Sequence, residues 1–193
     1  MYKRQVYDNQ PTLIEMVERV PGAVERGRGA GLRQYSIPKQ GTLPPSEPAG
    51  NRLTIASLSA SCFVEDLGNA QDGDSSTRWQ CGPQRPTQQM TVDLGTVETV
   101  GTVVPALGEF TTDFPRRLVV ETSTDETSWH PAWDGGYLPQ LIEAMLRDPL
   151  RNRVVLPFDP RPARYVRFRL ADTDSVWYWS IAELEIWSGQ GGQ

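Results

Sequence analysis

The feature that most constrains the fold is a repeated two-residue alternation of apolar and polar side chains between residues 53 and 187. In the run 165–170, YVRFRL, the apolar residues Val166, Phe168 and Leu170 face one way and two arginines face the other. Runs 90–94 and 182–187 alternate in the same manner, and run 117–123 is rich in β-branched residues. Such runs are typical of strands with one face in a core and one in water. Several of them, separated by glycine, proline and aspartate turns, predict an all-β sandwich or barrel.

The rest of the chain predicts a small flank and a linker before these strands. Residues 12–20 place apolar side chains on one helical face, and residues 32–37 alternate like a strand. We therefore expect residues 1–37 to be the tail end of a preceding domain, and the chain to be the C-terminal part of a longer protein. Four prolines and two glycines predict a linker at 38–50. Residues 51–188 are predicted to form the sandwich with one short helical insertion at 138–147, and residues 189–193 a disordered tail.

Charge and hydropathy exclude two classes of interaction for this chain. The formal net charge is −5 and the pI is about 5.0, whereas nucleic-acid-binding proteins usually carry a basic surplus that meets phosphate. Nucleic acid is therefore not an expected partner. No run of about 18 apolar residues occurs, so no membrane span is expected in this chain, although a membrane-anchored parent protein stays open.

One polar loop has the composition of a cation site. Within residues 69–79, NAQDGDSSTRW, Asp72, Asp74 and Thr77 offer hard oxygen ligands around Gly73, which permits a tight turn. Calcium takes about six to eight such ligands, so a second segment must complete the shell. The alternative interpretation is an aspartate-rich turn without a metal.

Five blocks in this region occur in the order found in the discoidin, or coagulation factor 5/8 type C, domain family. They are the DGDSSTRW loop at 72–79, the VDLG strand at 92–95, the STDETSW hairpin at 123–129, the RYVR strand at 164–167 and the closing SIAELEI strand at 180–186. The chain resembles that family over residues 53–187. The resemblance implies a jelly-roll β-sandwich of the galactose-binding-domain-like type, similar to family 32 carbohydrate-binding modules.

The resemblance also implies a metal. Relatives such as the N-terminal domain of galactose oxidase hold a structural cation between this loop and the last strand. Carried over to this sequence, the cofactor is a structural Ca²⁺, which stabilises the native state by binding only to it. The implied ligands are the carbonyls of Asn69 and Ala182, the side chains or carbonyls of Asp72, Asp74 and Thr77, and the carboxylate of Glu183.

Sugar-binding relatives carry an aromatic platform and polar side chains on loops at one end of the sandwich. A sugar stacks its C–H face on a ring, while its hydroxyls need charged or amide partners. Residues 107–116 and 172–179 are the candidate loops here, and the predicted ligand contacts are Trp177, Tyr178, Arg116 and Phe110. Trp133 and Tyr137 flank the helical insertion and are further candidates for a groove. Three other tryptophans are interpreted as packing residues: Trp79, Trp129 and Trp179.

The two cysteines, Cys62 and Cys81, flank the predicted cation loop. Two interpretations stay open. The pair forms a disulfide, as expected in an oxidising compartment, or both are buried free thiols.

These features together predict a non-catalytic carbohydrate-binding module that binds a glycan or polysaccharide. It is expected to belong to a larger bacterial protein that is extracytoplasmic (periplasmic or secreted) or membrane-bound. One alternative is a structural or accessory periplasmic domain of a multi-span membrane glycosyltransferase, which the flank and the insertion loosely resemble. Another is a discoidin domain that binds protein or phospholipid through apolar loop side chains. An enzyme is not expected, because His130 is the only histidine and no nucleophile motif such as G-x-S-x-G accompanies it.

Overall fold

The computed structural model describes residues 2–7, 11–19, 23–37 and 47–189. The chain divides into two compact units, Met1–Pro45 and Ser46–Gln193. Residues 38–46 of the predicted linker and 190–193 of the predicted tail lie outside the described residues. The predicted domain boundaries therefore stay predictions.

The first unit is a three-stranded antiparallel sheet with one helix. Strands β1 (Tyr2–Tyr7), β2 (Val24–Gly29) and β3 (Leu32–Ile37) lie in the order β1-β3-β2, and helix α1 (Pro11–Glu18) connects β1 to β2. Ile14 and Val17 of the helix and Tyr35 of β3 are buried. The predicted helix and the strand at 32–37 are confirmed. The flanking strands were not predicted, because a run such as VERGRG has no apolar alternation and is exposed throughout.

The second unit is built almost entirely from strands. Its elements, in chain order, are β4 (Arg52–Leu53), β5 (Ser57–Ala60), a 3₁₀ helix (Val64–Gln71), β6 (Trp79–Gln84), β7 (Gln89–Ala106), β8 (Arg117–Ser123), β9 (His130–Gly136), α2 (Leu138–Arg147), β10 (Leu156–Leu170), β11 (Asp174–Ile181) and β12 (Glu183–Ser188). The larger sheet has the order β4-β12-β7-β10-β8-β9, with β5 added beside β7. The smaller sheet consists of β11 and β6. All pairings are antiparallel.

The core lies between the small sheet and the large one. Alternate residues of β7 and β10 point inward, as the two-residue period predicts, so that Val92, Val166 and Phe168 are fully buried. Trp79 of β6 and Trp179 of β11 join the same apolar cluster. The all-β jelly-roll sandwich predicted from the sequence is confirmed.

Helix α2 is the predicted insertion. Its inner face buries Leu141 and Ala144, and a proline in its first turn suits the helix start, where backbone N–H groups have no intrahelical partner. The helix ends at Arg147, before the sequence Asp148-Pro149, because a residue that precedes proline avoids helical angles. Tyr137, at the helix start, is 1% exposed and belongs to the core. It therefore does not line a groove, contrary to the sequence prediction.

No helix within the described ranges has the length and apolar character that a membrane crossing requires. Cys62 and Cys81 form a disulfide, with their Cα atoms 5.5 Å apart and a separation of 19 positions in sequence. The bridge joins the segment after β5 to the middle of β6, so it closes the predicted cation loop covalently.

We expect replacement of both cysteines by alanine to lower the free energy of unfolding by about 3 kcal/mol, because a disulfide over a loop of this length restricts the unfolded chain by that amount. The melting temperature would fall by about 6–12 °C. Differential scanning calorimetry measures the change. A phosphine reductant should reproduce it in the native protein and leave the double variant unaffected, whereas two free thiols in the unreduced, denatured protein would contradict the bridge.

Candidate functional site

Two segments meet beside the small sheet and carry the predicted ligand-binding residues. Residues 107–116 join β7 to β8, and residues 171–178 lead from β10 into the first half of β11. The sequence predicted a loop at 172–179, but the structure has a strand from Asp174 onward, since Asp174 and Tyr178 pair with the end of β6. Residues 175–178 of β11 are exposed and residues 179–181 are buried. We call the side chains at this junction the aromatic loop cluster: Arg78, Phe110, Asp113, Phe114, Arg116, Asp174, Trp177 and Tyr178.

Gln84, at the end of β6, holds the two segments together. Its side chain is buried, and its Nε2 donates to the carbonyl oxygens of Phe114 and Tyr178, each at 2.9 Å. Its Oε1 accepts the backbone N–H of Arg116, also at 2.9 Å. A single amide thus satisfies three backbone groups from the two segments, and such groups are costly to bury unpaired.

An ion pair makes a second link between the segments. Arg116 Nε lies 2.6 Å from Asp174 Oδ2, and the guanidinium carbon lies 4.0 Å from the centre of the Phe114 ring. Asp174 also accepts the backbone N–H groups of Trp177 and Val176. The hydrogen bonds from Trp177 and Val176 and the Arg116 guanidinium lower the pKa of Asp174 to about 2. Its carboxylate is therefore ionised at neutral pH and fixes the backbone that presents Trp177.

Arg78 forms a parallel arrangement on the neighbouring side. Its guanidinium carbon lies 3.9 Å from the centre of the Phe110 ring, and its Nη1 lies 2.6 Å from Asp113 Oδ2. Asp113 is 7% exposed, and its carbonyl accepts the N–H of Ser180. Two aromatic rings at this end of the sandwich are therefore each covered by an arginine that is itself held by an aspartate.

Trp177 and Tyr178 are the solvent-facing rings of the cluster, with exposed fractions of 44% and 39%. Val176 beside them is 67% exposed. A large exposed aromatic group next to fixed charged groups is unusual on a protein surface and is typical of a recognition surface. The arrangement can stack against a flat apolar face and donate hydrogen bonds at its edge.

The structure brings three of the four predicted ligand contacts, Trp177, Tyr178 and Arg116, into one connected group. Phe110 belongs to the adjacent Arg78 group. The sequence did not predict the roles of Arg78, Gln84, Asp113 and Asp174. Only Asp174 had a local signal, an aspartate two and three residues before the N–H groups that it accepts. The other partners are distant in sequence.

We expect Gln84→Ala to destabilise the protein by about 1–3 kcal/mol, because it removes three hydrogen bonds to part-buried backbone groups of the two segments. Urea denaturation monitored by circular dichroism measures the loss. The matched control is Gln71→Ala, at an exposed glutamine on the 3₁₀ helix, which should change the free energy of unfolding by less than about 0.5 kcal/mol. Equal stability of the two variants would contradict the bridging role.

The predicted cation loop lies next to this cluster and folds around its own aspartates. Asp72 accepts the backbone N–H of Asp74 at 2.9 Å and the hydroxyl of Thr77 at 2.7 Å. Asp74 Oδ1 accepts the N–H and the hydroxyl of Ser76. These hydrogen bonds, to Thr77 and then to the Asp74 backbone, lower the pKa of Asp72, and those from Ser76 lower the pKa of Asp74. Both carboxylates are thus held in the charged form.

Two further residues tie this loop to its surroundings. The side-chain amide of Asn69 donates to the Arg78 carbonyl at 3.0 Å, which connects the cation loop to the aromatic loop cluster. Gly108 has a φ of +55°, and a Cβ atom there would collide with the Ser75 carbonyl oxygen. Only glycine permits this close approach of the β7–β8 loop to the cation loop.

Glu183, the first residue of β12, is the distinctive group of this region. Its Oε1 atom is buried and has no hydrogen-bond partner among the described residues. Burial raises the pKa of Glu183, the Gly73 N–H opposes that shift, and the charge of Asp72 adds to it. An isolated carboxylate oxygen buried beside a second carboxylate is unfavourable unless a proton or a cation compensates it.

The donors present fit a hard cation. Asp72 and Glu183 supply carboxylate oxygens from two segments, and the orphaned Glu183 oxygen is the kind of ligand that Ca²⁺ takes. Across residues 2–7, 11–19, 23–37 and 47–189 no group of three or more His, Cys, Asp or Glu side chains is gathered as a metal site. The hydroxyl of Thr77 and backbone carbonyls would therefore have to supply the remaining oxygens.

Comparison with known proteins places this geometry in context. The F5/8 type C domain family model matches residues 58–184. None of the curated protein sequences compared with the chain matches it.

Solved structures of the same architecture include the CBM32 domain of AlyQ in complex with 4,5-unsaturated mannuronic acid, at 24% identity over 72% of this chain and 99% of that one, with a TM-score of 0.57. The CBM32-3 domain of a family 31 glycoside hydrolase from Clostridium perfringens aligns over 74% of this chain and 99% of its own, at 22% identity and a TM-score of 0.55. A mutant of chitosan-binding module 1 from a Paenibacillus sp. IK-5 chitosanase/glucanase aligns over 72% and 99%, at 22% identity and a TM-score of 0.52. These likenesses establish the fold.

Proposed function

The chain belongs to the F5/8 type C domain family, and from this premise we propose that its sandwich is a non-catalytic carbohydrate-binding module of a larger protein. The observation that carries the proposal is the exposed pair Trp177 and Tyr178 beside the Arg116–Asp174 ion pair. The structures of similar fold include a CBM32 domain in complex with 4,5-unsaturated mannuronic acid and a chitosan-binding module.

The chemistry of the aromatic loop cluster suits a sugar better than a purely apolar ligand. An exposed ring can stack on the C–H face of a pyranose, which buries apolar area on both partners. Arg116 Nε donates to Asp174 and its Nη1 donates to the Phe114 carbonyl, whereas its Nη2 has no hydrogen bond to a described residue. That nitrogen and the oxygens of Asp174 are placed to bond hydroxyl groups at the edge of the stacked ring.

The same groups argue against catalysis. Asp174 has a pKa of about 2, set by the N–H groups of Trp177 and Val176 and by Arg116. Such a carboxyl is ionised at neutral pH and cannot act as a general acid, which needs a pKa near the working pH. Asp113 is likewise engaged by an arginine. His130 lies exposed at the start of β9, an edge strand of the large sheet, whereas Asp174 belongs to the small sheet.

The cation site is the second part of the proposal. Asp72 and Glu183 would hold Ca²⁺ between the loop and the last strand, with oxygens of Asn69, Asp74, Thr77 and Ala182 as the further predicted ligands. When bound, the ion would neutralise two adjacent carboxylates and supply the partner that Glu183 Oε1 lacks. Its role is structural, since the aromatic loop cluster is held by its own hydrogen bonds.

The disulfide supports an extracytoplasmic location, because such bonds persist in oxidising compartments. Two other functions give different outcomes in the same experiments. A phospholipid-binding domain would insert Val176 and Trp177 into a bilayer. An accessory domain of a membrane glycosyltransferase would bind no free glycan at all.

We expect Trp177→Ala to weaken glycan binding at least about tenfold, because the variant removes the exposed stacking surface. A glycan array that includes galactosides, N-acetylhexosamines and glucosamine oligomers identifies the ligand, and isothermal titration measures the affinity. The control is Trp129→Ala, which removes a tryptophan elsewhere on the surface, under Arg167.

Binding that is unchanged in Trp177→Ala would place the sugar elsewhere. Sedimentation with phosphatidylserine vesicles, lost in the same variant and without any glycan signal, would favour the phospholipid-binding alternative. Absence of both signals would leave the accessory-domain function.

We expect calcium to raise the melting temperature and chelation by EDTA to lower it again. A ligand at about a hundred times its dissociation constant stabilises the native state by about 2.7 kcal/mol, which corresponds to about 5–10 °C for a unit of this size. Glu183→Gln should abolish the calcium-dependent increment, whereas Glu65→Gln, at an exposed glutamate, should retain it. A melting temperature that ignores both calcium and EDTA would remove the cation from the proposal.

A further inference from the structure

A groove of about 570 Å³ runs beside the last strand, and none of the residues that line it belongs to the aromatic loop cluster. We call it the strand-edge groove. Its lining holds Trp187 of β12, three arginines (Arg52, Arg151 and Arg153) and three glutamates (Glu47, Glu183 and Glu185), and it reaches Gly73 and Ser75 of the predicted cation loop. Two of the three glutamates, Glu47 and Glu185, are ion-paired with Arg153, so the lining combines acidic, basic and aromatic groups.

The three arginines of the groove differ in their ion-pair partners. Arg153 is fixed by Glu185, with Nε and Nη2 at 3.1 and 2.8 Å from its two carboxylate oxygens. Arg52 and Arg151 are exposed, and neither guanidinium has an ion pair with a described residue. Two cationic groups are therefore available at the groove beside one that is rigidly held.

Glu185 also orients the aromatic wall. Its Oε2 accepts the indole N–H of Trp187 at 2.8 Å while it holds Arg153. Its side chain is 13% exposed. Burial raises the pKa of Glu185, but Arg153 and Trp187 outweigh it, so that the net shift is downward and the carboxylate stays charged. One anchored carboxylate thus fixes the relative position of a guanidinium and an indole ring.

A carboxylate from the chain itself already lies against the held arginine. Arg153 Nη1 is 3.3 Å from Glu47 Oε1, and the Glu47 side chain is 60% exposed. An exposed contact of this kind is weak and is readily exchanged for a better-placed anion. The contact with Glu47 therefore shows that Arg153 can bind a carboxylate on the side that faces the groove.

We propose that the strand-edge groove is a second ligand site, which binds a carboxylated saccharide such as a uronic acid residue. The sugar carboxylate takes the place of Glu47 on Arg153 and is flanked by Arg52 and Arg151. The sugar ring lies against Trp187. Guanidinium groups suit this role because their planar donors match a carboxylate, and an indole face suits the apolar side of a pyranose.

The site is independent of the aromatic loop cluster, so the two can be tested separately in the whole chain. The probe is trigalacturonate, titrated calorimetrically in buffer without added calcium. We expect binding that weakens as sodium chloride is raised, because the attraction is between charges. The Arg52→Ala, Arg151→Ala double variant should weaken binding about tenfold or more. Both side chains are exposed, so its melting temperature should match that of the native protein.

A second variant is expected to bind trigalacturonate more tightly than the native protein does. Glu47→Gln removes the competing carboxylate and should tighten trigalacturonate binding about two- to fivefold. Glu65→Gln, at an exposed glutamate outside both proposed binding sites, should leave the affinity unchanged.

Four results would overturn the proposal: no binding of trigalacturonate, equal binding of its methyl ester, full competition by inorganic phosphate, or loss of binding in Trp177→Ala.

Discussion

The edge-to-face contact of Trp79 with Trp179 sets the position of everything that the small sheet carries. Their ring centres are 4.9 Å apart and the ring planes are nearly perpendicular, at 86°, a geometry that adds about 0.5–1.5 kcal/mol to the burial of two large side chains. One ring comes from β6 and the other from β11, and both join the apolar cluster on the large sheet. The indole of Trp79 also donates to the Cys62 carbonyl, which ties the disulfide to the same point. Gln84 and Trp177 extend from these two strands, so the core determines where the proposed recognition surface lies.

Polar side chains then hold the loops and aromatic rings of this surface in fixed positions. Gln84 bridges two loops, and two arginines each hold an aromatic ring through an aspartate partner. None of these groups is free to adopt many rotamers, because each makes several simultaneous contacts. A surface ordered before the ligand arrives loses little conformational entropy on binding. This is the physical reason that a module with small, exposed contacts can be selective without a deep cavity.

The last strand, β12, carries two carboxylates that have different electrostatic surroundings. Leu184 and Ile186 face the core, while Glu183, Glu185 and Trp187 share the opposite face, as the two-residue period of a strand requires. The buried Oε1 of Glu183 has no hydrogen-bond partner among the described residues, so a nearby positive charge would stabilise the carboxylate. Glu185, two residues away, has an arginine and an indole as partners, and it lines the groove that we propose for a negatively charged ligand. The two carboxylates on one face therefore have different proposed roles because their neighbours differ.

The sequence alone predicted the fold class and the family resemblance, because each depends on short-range periodicity or on an ordered series of local blocks. It also singled out Trp177 and Tyr178 as ligand contacts by placing them in a loop at 172–179, although the structure has a strand from Asp174 onward. It also marked Asp72 and Glu183 as oxygen donors, without establishing that a metal binds. It did not predict Gln84 as a bridge, the pairing of Arg116 with Asp174, or the burial of Tyr137. Nor did it predict the groove that joins Arg52, Arg151 and Trp187. These features bring together residues that are far apart along the chain. Whether a glutamine is buried, or an arginine is paired, is decided by strand order and packing, which only the tertiary structure specifies.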